Sequence, residues 1–230
     1  MPEKSKPADN LRADAEKIIE SAIAAVLPDA AVERALKGKT FSGRVYLVAA
    51  GKAAWQMAHA ARACLQDNFC GGVVVTKYGH VKGNIAGVAC FEGGHPVPDE
   101  NSLRGTDAAL ALTEDLTESD TVVFLLSGGG SALFEKPLIP LAELQDVTNQ
   151  LLAAGADIVE INTIRKRLSA VKGGRFARHC APAQVFAVVL SDILGDPLDM
   201  IASGPAYPDS SSCAQALAIA KKYGLRLSEQ

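Results

Sequence analysis

The chain of 230 residues is 48% hydrophobic and 21% charged with a formal net charge of −3, which describes a soluble globular protein with enough apolar material for a sizeable core. No basic stripe interleaved with aromatics marks a nucleic-acid surface, and no stretch approaches about 18 uninterrupted apolar residues. "MPEKSKPADN" is charged and proline-bearing with no apolar leader behind it, so a cytoplasmic protein without nucleic-acid or membrane partners is expected. The five cysteines are scattered and lack CxxC spacing, which argues for buried reduced thiols over a disulfide framework or a zinc knuckle.

In chain order, residues 1–8 read as a disordered tail. "LRADAEKIIESAIAAVL" (11–27) then repeats apolar residues at helical spacing behind Asp9 and Asn10, either of which suits an N-cap, and predicts a surface helix packed on a later part of the chain. "RVYLVAA" (44–50) is a short buried-strand run, followed by the alanine-rich helical stretch "GKAAWQMAHAARACL". The strand-then-turn signal returns at 71–77, 87–96, 121–130 and 184–192. Helical patterns at 101–116, 141–153 and 158–178 supply crossovers, and the serine, glycine and proline loop 201–212, which opens the last helix, either lines the cleft or simply connects. Runs rich in branched residues that do not alternate predict strands buried on both faces. The expected fold is α/β, a doubly wound, mostly parallel sheet covered by helices on both faces, Rossmann-like.

In such sheets ligands gather outside the carboxyl ends of the strands. Four of the five runs end in unusual polar or glycine residues: "AAGK", "EGGHP", "SGGGS" and "LSDILGD". Ser127, Gly128, Gly129, Gly130 and Ser131 follow a strand, and a glycine loop there lets backbone N–H groups approach an anion, with a following helix adding its positive end. A tight turn with close helix packing is the alternative. The stretch is neither a Walker A nor a GxGxxG motif. Lys52, after Gly51, sits where a helix begins, a position the helix dipole disfavours for a cation, and so reads as a charge for phosphate oxygens. Asp192 ends the last strand run and suits a Mg²⁺ ligand or a base for a hydroxyl, while Asp196 before Pro197 suits a turn. Glu92 and His95 flank two glycines in "EGGHP", with no partner spacing for a metal. In "NTIRKRLSAVKGGRFARH" most cations read as a solvated helix face, with Arg165 or Lys172 positioned to reach an anionic substrate. Trp55 and Met57 read as core.

The ordered set "AAGKAA", "EGGHPVPDENS", "LLSGGGSALFEKP", "INTIRKRLSAVKGGRFA" and "LSDILGDPLDMIASGP" closely resembles the N-terminal portion of the glycerate 2-kinase family, over about residues 9–225. Members of that family carry a C-terminal MOFRL-type domain and are sometimes labelled hydroxypyruvate reductases. The resemblance implies ATP-dependent phosphorylation of D-glycerate to 2-phosphoglycerate, with ATP and Mg²⁺, in a cleft between two domains. It places the essential lysine on Lys52, the glycine-rich segment on Ser127 to Ser131 and the acidic residue on Asp192; read from the residues themselves, Glu92, His95 and Arg165 or Lys172 fall on the substrate side. The family's first motif is usually glycine-alanine-glycine-lysine, where this chain has "AAGK". Residues 226–230 read as the truncated start of a following segment, with the C-terminal domain of the same protein as the missing partner; a homodimer is left open. Two rivals stand beside this reading. A nicotinamide-dependent hydroxypyruvate reductase would consume reduced cofactor but lacks GxGxxG, and a non-catalytic phosphosugar or nucleotide-binding module would bind without releasing ADP.

Overall fold

A computed structural model describes residues 8–65, 67–191 and 193–227. Five strands, β1 (Val45–Ala50), β2 (Phe69–Lys77), β3 (Val88–Gly93), β4 (Thr121–Leu126) and β5 (Gln184–Val189), form one parallel sheet in the order β3-β2-β1-β4-β5. β1 and β4 are buried at every position, as non-alternating runs of branched residues require when helices cover both faces. Burial thins toward the two edge strands, β3 and β5. Ala50 of β1 stands opposite both Val75 of β2 and Leu126 of β4, so the three strands end nearly level and their following loops share one rim.

The strand period of two sends alternate residues into separate cores. Leu47 and Ala49 join Val123 and Leu125 beneath α3 (Ala54–Cys64), whose buried Ala54, Ala58 and Ala61 let the helix lie close to the sheet. Tyr46, Val48 and Ala50 face the other side, where Phe124, Phe134 and Phe176 pack with ring centroids 4.7–5.5 Å apart. α4 (Glu100–Leu112) covers β2 and β3 on that second side and is opened by a capping box between Asp99 and Ser102. The chain passes from β2 to β3 through residues 78–87 without a crossover helix. Between β4 and β5 run a short turn, α5 (Gly130–Leu133), then α6 (Leu141–Ala153), α7 (Ile158–Arg167) and α8 (Arg175–His179). After β5, a 3₁₀ turn (Ile201–Ser203) leads to α9 (Cys213–Tyr223), which shares a small core with α6 and α7.

Three expectations are corrected. The helical stretch 158–178 is broken between Arg167 and Arg175, because Gly173 and Gly174 take φ of +60° and +78° and donate their N–H groups to the carbonyls of Ser203 and Gly204. α1 (Ala8–Val26) already contains Asp9 and Asn10, and its apolar side chains Leu11, Ile18, Ile19, Ile23 and Val26 are exposed instead of packed on a later part of the chain. α2 (Pro28–Leu36) follows it and packs on α3. Of the five free cysteines only Cys180 is buried; Cys64, Cys70 and Cys213 are exposed. The expected tail 1–8 lies, apart from Ala8, outside the described residues, as do 228–230 of the terminal segment. No helix of the described residues is long and apolar enough to cross a membrane.

Candidate functional site

β1 sends its connection through α3 on one face and β4 sends its own through α5 on the other, so the crevice between their carboxyl ends is the topological switch point of the sheet. Backbone bonds lace the two loops together there. Lys52 N–H donates to Gly128 C=O at 2.8 Å, Ala53 N–H to Ser127 Oγ at 3.0 Å and Ser127 N–H to Ala50 C=O at 3.0 Å. Gly51 has φ +121°, and a Cβ on it would overlap the Ser127 hydroxyl and carbonyl, so this close approach demands glycine. Thr76 Oγ1, from the end of β2, donates to Gly51 C=O at 2.9 Å and ties a third strand into the same rim.

The rim gathers several of the residues singled out in the sequence. Gly129 has φ +87°, and a Cβ there would lie 2.9 Å from the His95 ring and 3.2 Å from Lys52 Cγ. The N–H groups of Gly128 and Gly129 make no hydrogen bond to the described residues. Ser131 Oγ meets Ser203 Oγ at 3.0 Å, and Ser203 in turn donates to Asn162 Oδ1 on α7 at 2.9 Å, which fixes the glycine loop to the 201–204 turn. A Cβ on Gly130 would sit 2.6 Å from Ala202, so this glycine also serves close packing, as the alternative reading of the loop required. α5 is a single turn, so the helix dipole anticipated behind the loop is slight and the free N–H groups carry the anion-binding capacity.

The electrostatics of the rim are cationic. Lys52 is exposed, and its ammonium has no hydrogen-bond or ion-pair partner among the described residues. Arg165 is mostly withdrawn from solvent, which lowers its pKa against the opposing pull of the Glu135 charge, and no described acceptor takes its guanidinium hydrogens. Burial also pushes the His95 pKa down, and the nearby charges of Lys52, Lys77 and Arg165 push it further. Lysine and arginine charges around a neutral imidazole, with two unpaired amide N–H groups, form a site for an anion.

Other residues lie elsewhere. Lys172 is fully buried: its ammonium donates to Phe134 C=O at 2.8 Å and pairs with Glu135 at 3.1 Å, with burial lowering its pKa against the pull of Glu135. Glu92 accepts the Val81 N–H at 2.8 Å, which lowers its pKa, so it braces the 78–87 loop. Lys166 does not belong to a solvated face; it is buried between Asp199 and Asp209, at 3.3 and 3.2 Å. Asp192 lies outside the described residues. Among the described residues no group of three or more acidic, histidine or cysteine side chains is placed to hold a metal ion. Lys77, Asn162 and Ser203 were not singled out in the sequence. Only Lys77 carries a signal there, as the polar end of "VVVTK".

Comparison with known proteins follows this geometry. A family model described as "Domain of unknown function (DUF4147)" matches residues 14–230. The D-glycerate 2-kinase of Thermotoga maritima is 55% identical over 223 residues, 96% of this chain and 53% of that protein. A putative hydroxypyruvate reductase of Agrobacterium vitis is 42% identical over 215 residues, 93% of this chain and 49% of its own length. The crystal structure of glycerate kinase from Thermotoga maritima superimposes with a TM-score of 0.90 at 54% identity, covering 96% of this chain and 54% of that one. The α/β fold and the resemblance to glycerate kinases are thereby borne out, and the chain spans about half the length of the curated relatives it matches.

Proposed function

That this chain belongs to the DUF4147 family is the premise from which we propose its function: it forms part of an enzyme that phosphorylates D-glycerate at the 2-hydroxyl with ATP, giving 2-phosphoglycerate. One observation carries the reading. At the switch point of a chain 55% identical to a D-glycerate 2-kinase, Lys52 and His95 stand beside Gly129, the charges of Lys52 and Arg165 both act on the His95 ring, and the N–H groups of Gly128 and Gly129 have no partner among the described residues. Phosphoryl transfer asks chiefly for positioning and for neutralisation of charge on the moving phosphoryl oxygens, and this rim supplies both.

In this mechanism Gly128 and Gly129 N–H groups hold phosphate oxygens, and the Lys52 ammonium follows the charge that shifts toward the leaving oxygen during transfer. Arg165 holds the carboxylate of the hydroxy acid through its planar fork, which suits a two-oxygen anion. His95, kept neutral by its surroundings, offers a ring nitrogen to the substrate hydroxyl. ATP arrives as the Mg²⁺ complex, and Mg²⁺ supplies charge neutralisation on the phosphates. The expectation that Asp192 holds this ion or polarises the hydroxyl rests on sequence alone.

The test is phosphorus NMR of the protein, in the longest form its gene encodes, incubated with Mg·ATP and D-glycerate. The expected result is a new phosphomonoester on carbon 2 together with ADP. Oxidation of NADH by hydroxypyruvate with no phosphoester formed would overturn the reading in favour of a reductase.

A further inference from the structure

The rim holds a second feature that the glycine loop does not account for. Residues 78–87 join two parallel strands without a helix and fold back over the first turn of α3. Four bonds pin them: Trp55 Nε1–H donates to Gly83 C=O at 2.9 Å, His80 Nδ1 meets Lys52 C=O at 2.8 Å, Arg62 Nε–H donates to Ala86 C=O at 3.1 Å, and Val81 N–H reaches Glu92 at 2.8 Å. Between this loop and α3 lies a pocket of about 420 Å³ lined by Lys52, Trp55, Gln56, His80 and Lys82, with Ala53 and Gly79 between them.

The lining has a specific chemistry. Lys82 is exposed with no ion-pair partner among the described residues. A carbonyl can only accept, so the His80–Lys52 bond puts an imidazole proton on Nδ1. Gln56 spends its amide nitrogen on Asp29 and keeps its amide oxygen for another donor. The Trp55 ring is fixed by its indole bond and by stacking on His59 at 5.2 Å, which makes it a rigid, half-buried aromatic wall that also packs against the core beneath α3, as its helical spacing suggested. An aromatic wall with hydrogen-bonding groups beside two cations matches a ligand with a flat heteroaromatic end and an anionic end. The volume lies in the range of small-molecule sites.

We propose that this pocket receives the nucleoside end of a nucleoside di- or triphosphate, with Lys82 and Lys52 on the polyphosphate and Trp55 and Gln56 at the base. The assignment rests on the phosphotransferase reading and adds a direction to it. In doubly wound sheets a nucleotide lies with its phosphates at the turn after the first strand and its ribose toward the end of the next one. Here that turn is Gly51 and Lys52, and the next strand, β2, ends at the pocket loop. Lys52 lines this pocket on one side and approaches Gly129 and His95 on the other. It therefore stands between donor and acceptor, with the nucleotide over β2 and the hydroxy acid toward Arg165 beyond β4.

Trp55 is the single tryptophan of these 230 residues, and the difference between the protein and its Trp55→Phe variant isolates the fluorescence of this pocket. The experiment titrates ADP, inorganic phosphate and D-glycerate separately into the protein and into Lys82→Ala, a substitution at an exposed side chain. It also measures KM for ATP and for D-glycerate in both. Saturable quenching by ADP but by neither other ligand is expected. In Lys82→Ala, ADP affinity should weaken and KM for ATP should rise about tenfold, the value of one charge-assisted bond to phosphate, with KM for D-glycerate unmoved. Phosphoester formation without any ADP-dependent change at Trp55 overturns the pocket assignment and leaves the kinase reading standing. Quenching that Lys82→Ala does not weaken, or a rise in KM for D-glycerate in place of ATP, also overturns it. Quenching by ADP with no phosphoester formed supports the pocket and sinks the glycerate kinase reading instead.

Discussion

Lys52 and Lys172 both adjoin a glycine and both invite a substrate-binding role, yet they occupy opposite surroundings. Gly51 turns the chain outward at φ +121° and leaves Lys52 exposed on the rim, without a partner among the described residues. Gly173 turns it inward at φ +60°, where its N–H binds Ser203 C=O, and Lys172 ends beneath the rim on Glu135 and Phe134. A free charge is available to a ligand; a charge whose desolvation is offset by a buried carboxylate is committed to the fold. The difference separates activity from stability, and it can be broken experimentally.

The largest effect is expected at the rim. Lys52→Met should lower turnover by about 10³-fold, the scale of one electrostatic group acting on transferring charge. Its unfolding free energy should stay within about 0.5 kcal/mol of the parent, as for an exposed side chain. Near-normal turnover would remove Lys52 from the chemistry. Lys172→Met should do the reverse through stability, costing about 4 kcal/mol in urea unfolding, because the buried Glu135 loses its ion-pair partner. Its other oxygen, Oε1, already lacks a hydrogen-bond partner. Removing both charges in the double variant Lys172→Met/Glu135→Gln should recover most of that loss, to within about 1–2 kcal/mol. A double variant as unstable as the single one would show that the pair is not what Lys172 contributes.

The smallest effect sharpens the comparison at the opposite end of the strands. Asp120, just before β4, is 2% exposed and takes bonds from the Arg44 guanidinium, the Arg44 N–H, and the N–H and hydroxyl of Thr117. The Arg44 bond above all holds its pKa well below the ordinary carboxylate range, against the effect of burial. A depressed folded-state pKa means stability that is fully present above the unfolded value of about 3.9 and is lost as pH falls through the folded value. Asp120→Asn should therefore cost about 2 kcal/mol near neutrality and flatten the acid limb of the stability profile. An acid limb as steep as the parent's would assign that limb to other carboxylates.

Much of the architecture could be read in advance. The runs at 44–50, 71–77, 87–96, 121–130 and 184–192 each fall on one strand, β2 beginning two residues before its run at Phe69, and the helix over 141–153 coincides with α6. The break inside 158–178 could not be placed, because the glycine pair needs the 203–204 turn to bind its N–H groups before leaving the helix is favourable. Trp55 was legible only in part: its helical spacing gave the packing against the core, and only the returning 78–87 loop makes its outer side a pocket wall.

Strand order of residue types, the glycine punctuation and the polar residues at strand ends were dictated locally, since hydrophobic period and left-handed turns depend on neighbours a few positions away. Which cations face a ligand was settled by folding. Lys166 and Lys172 are withdrawn onto carboxylates contributed by residues 33 and 37 positions away, while Lys52 is left at the rim without an ion-pair or hydrogen-bond partner among the described residues, because the availability of a charge depends on long-range partners that no local pattern records.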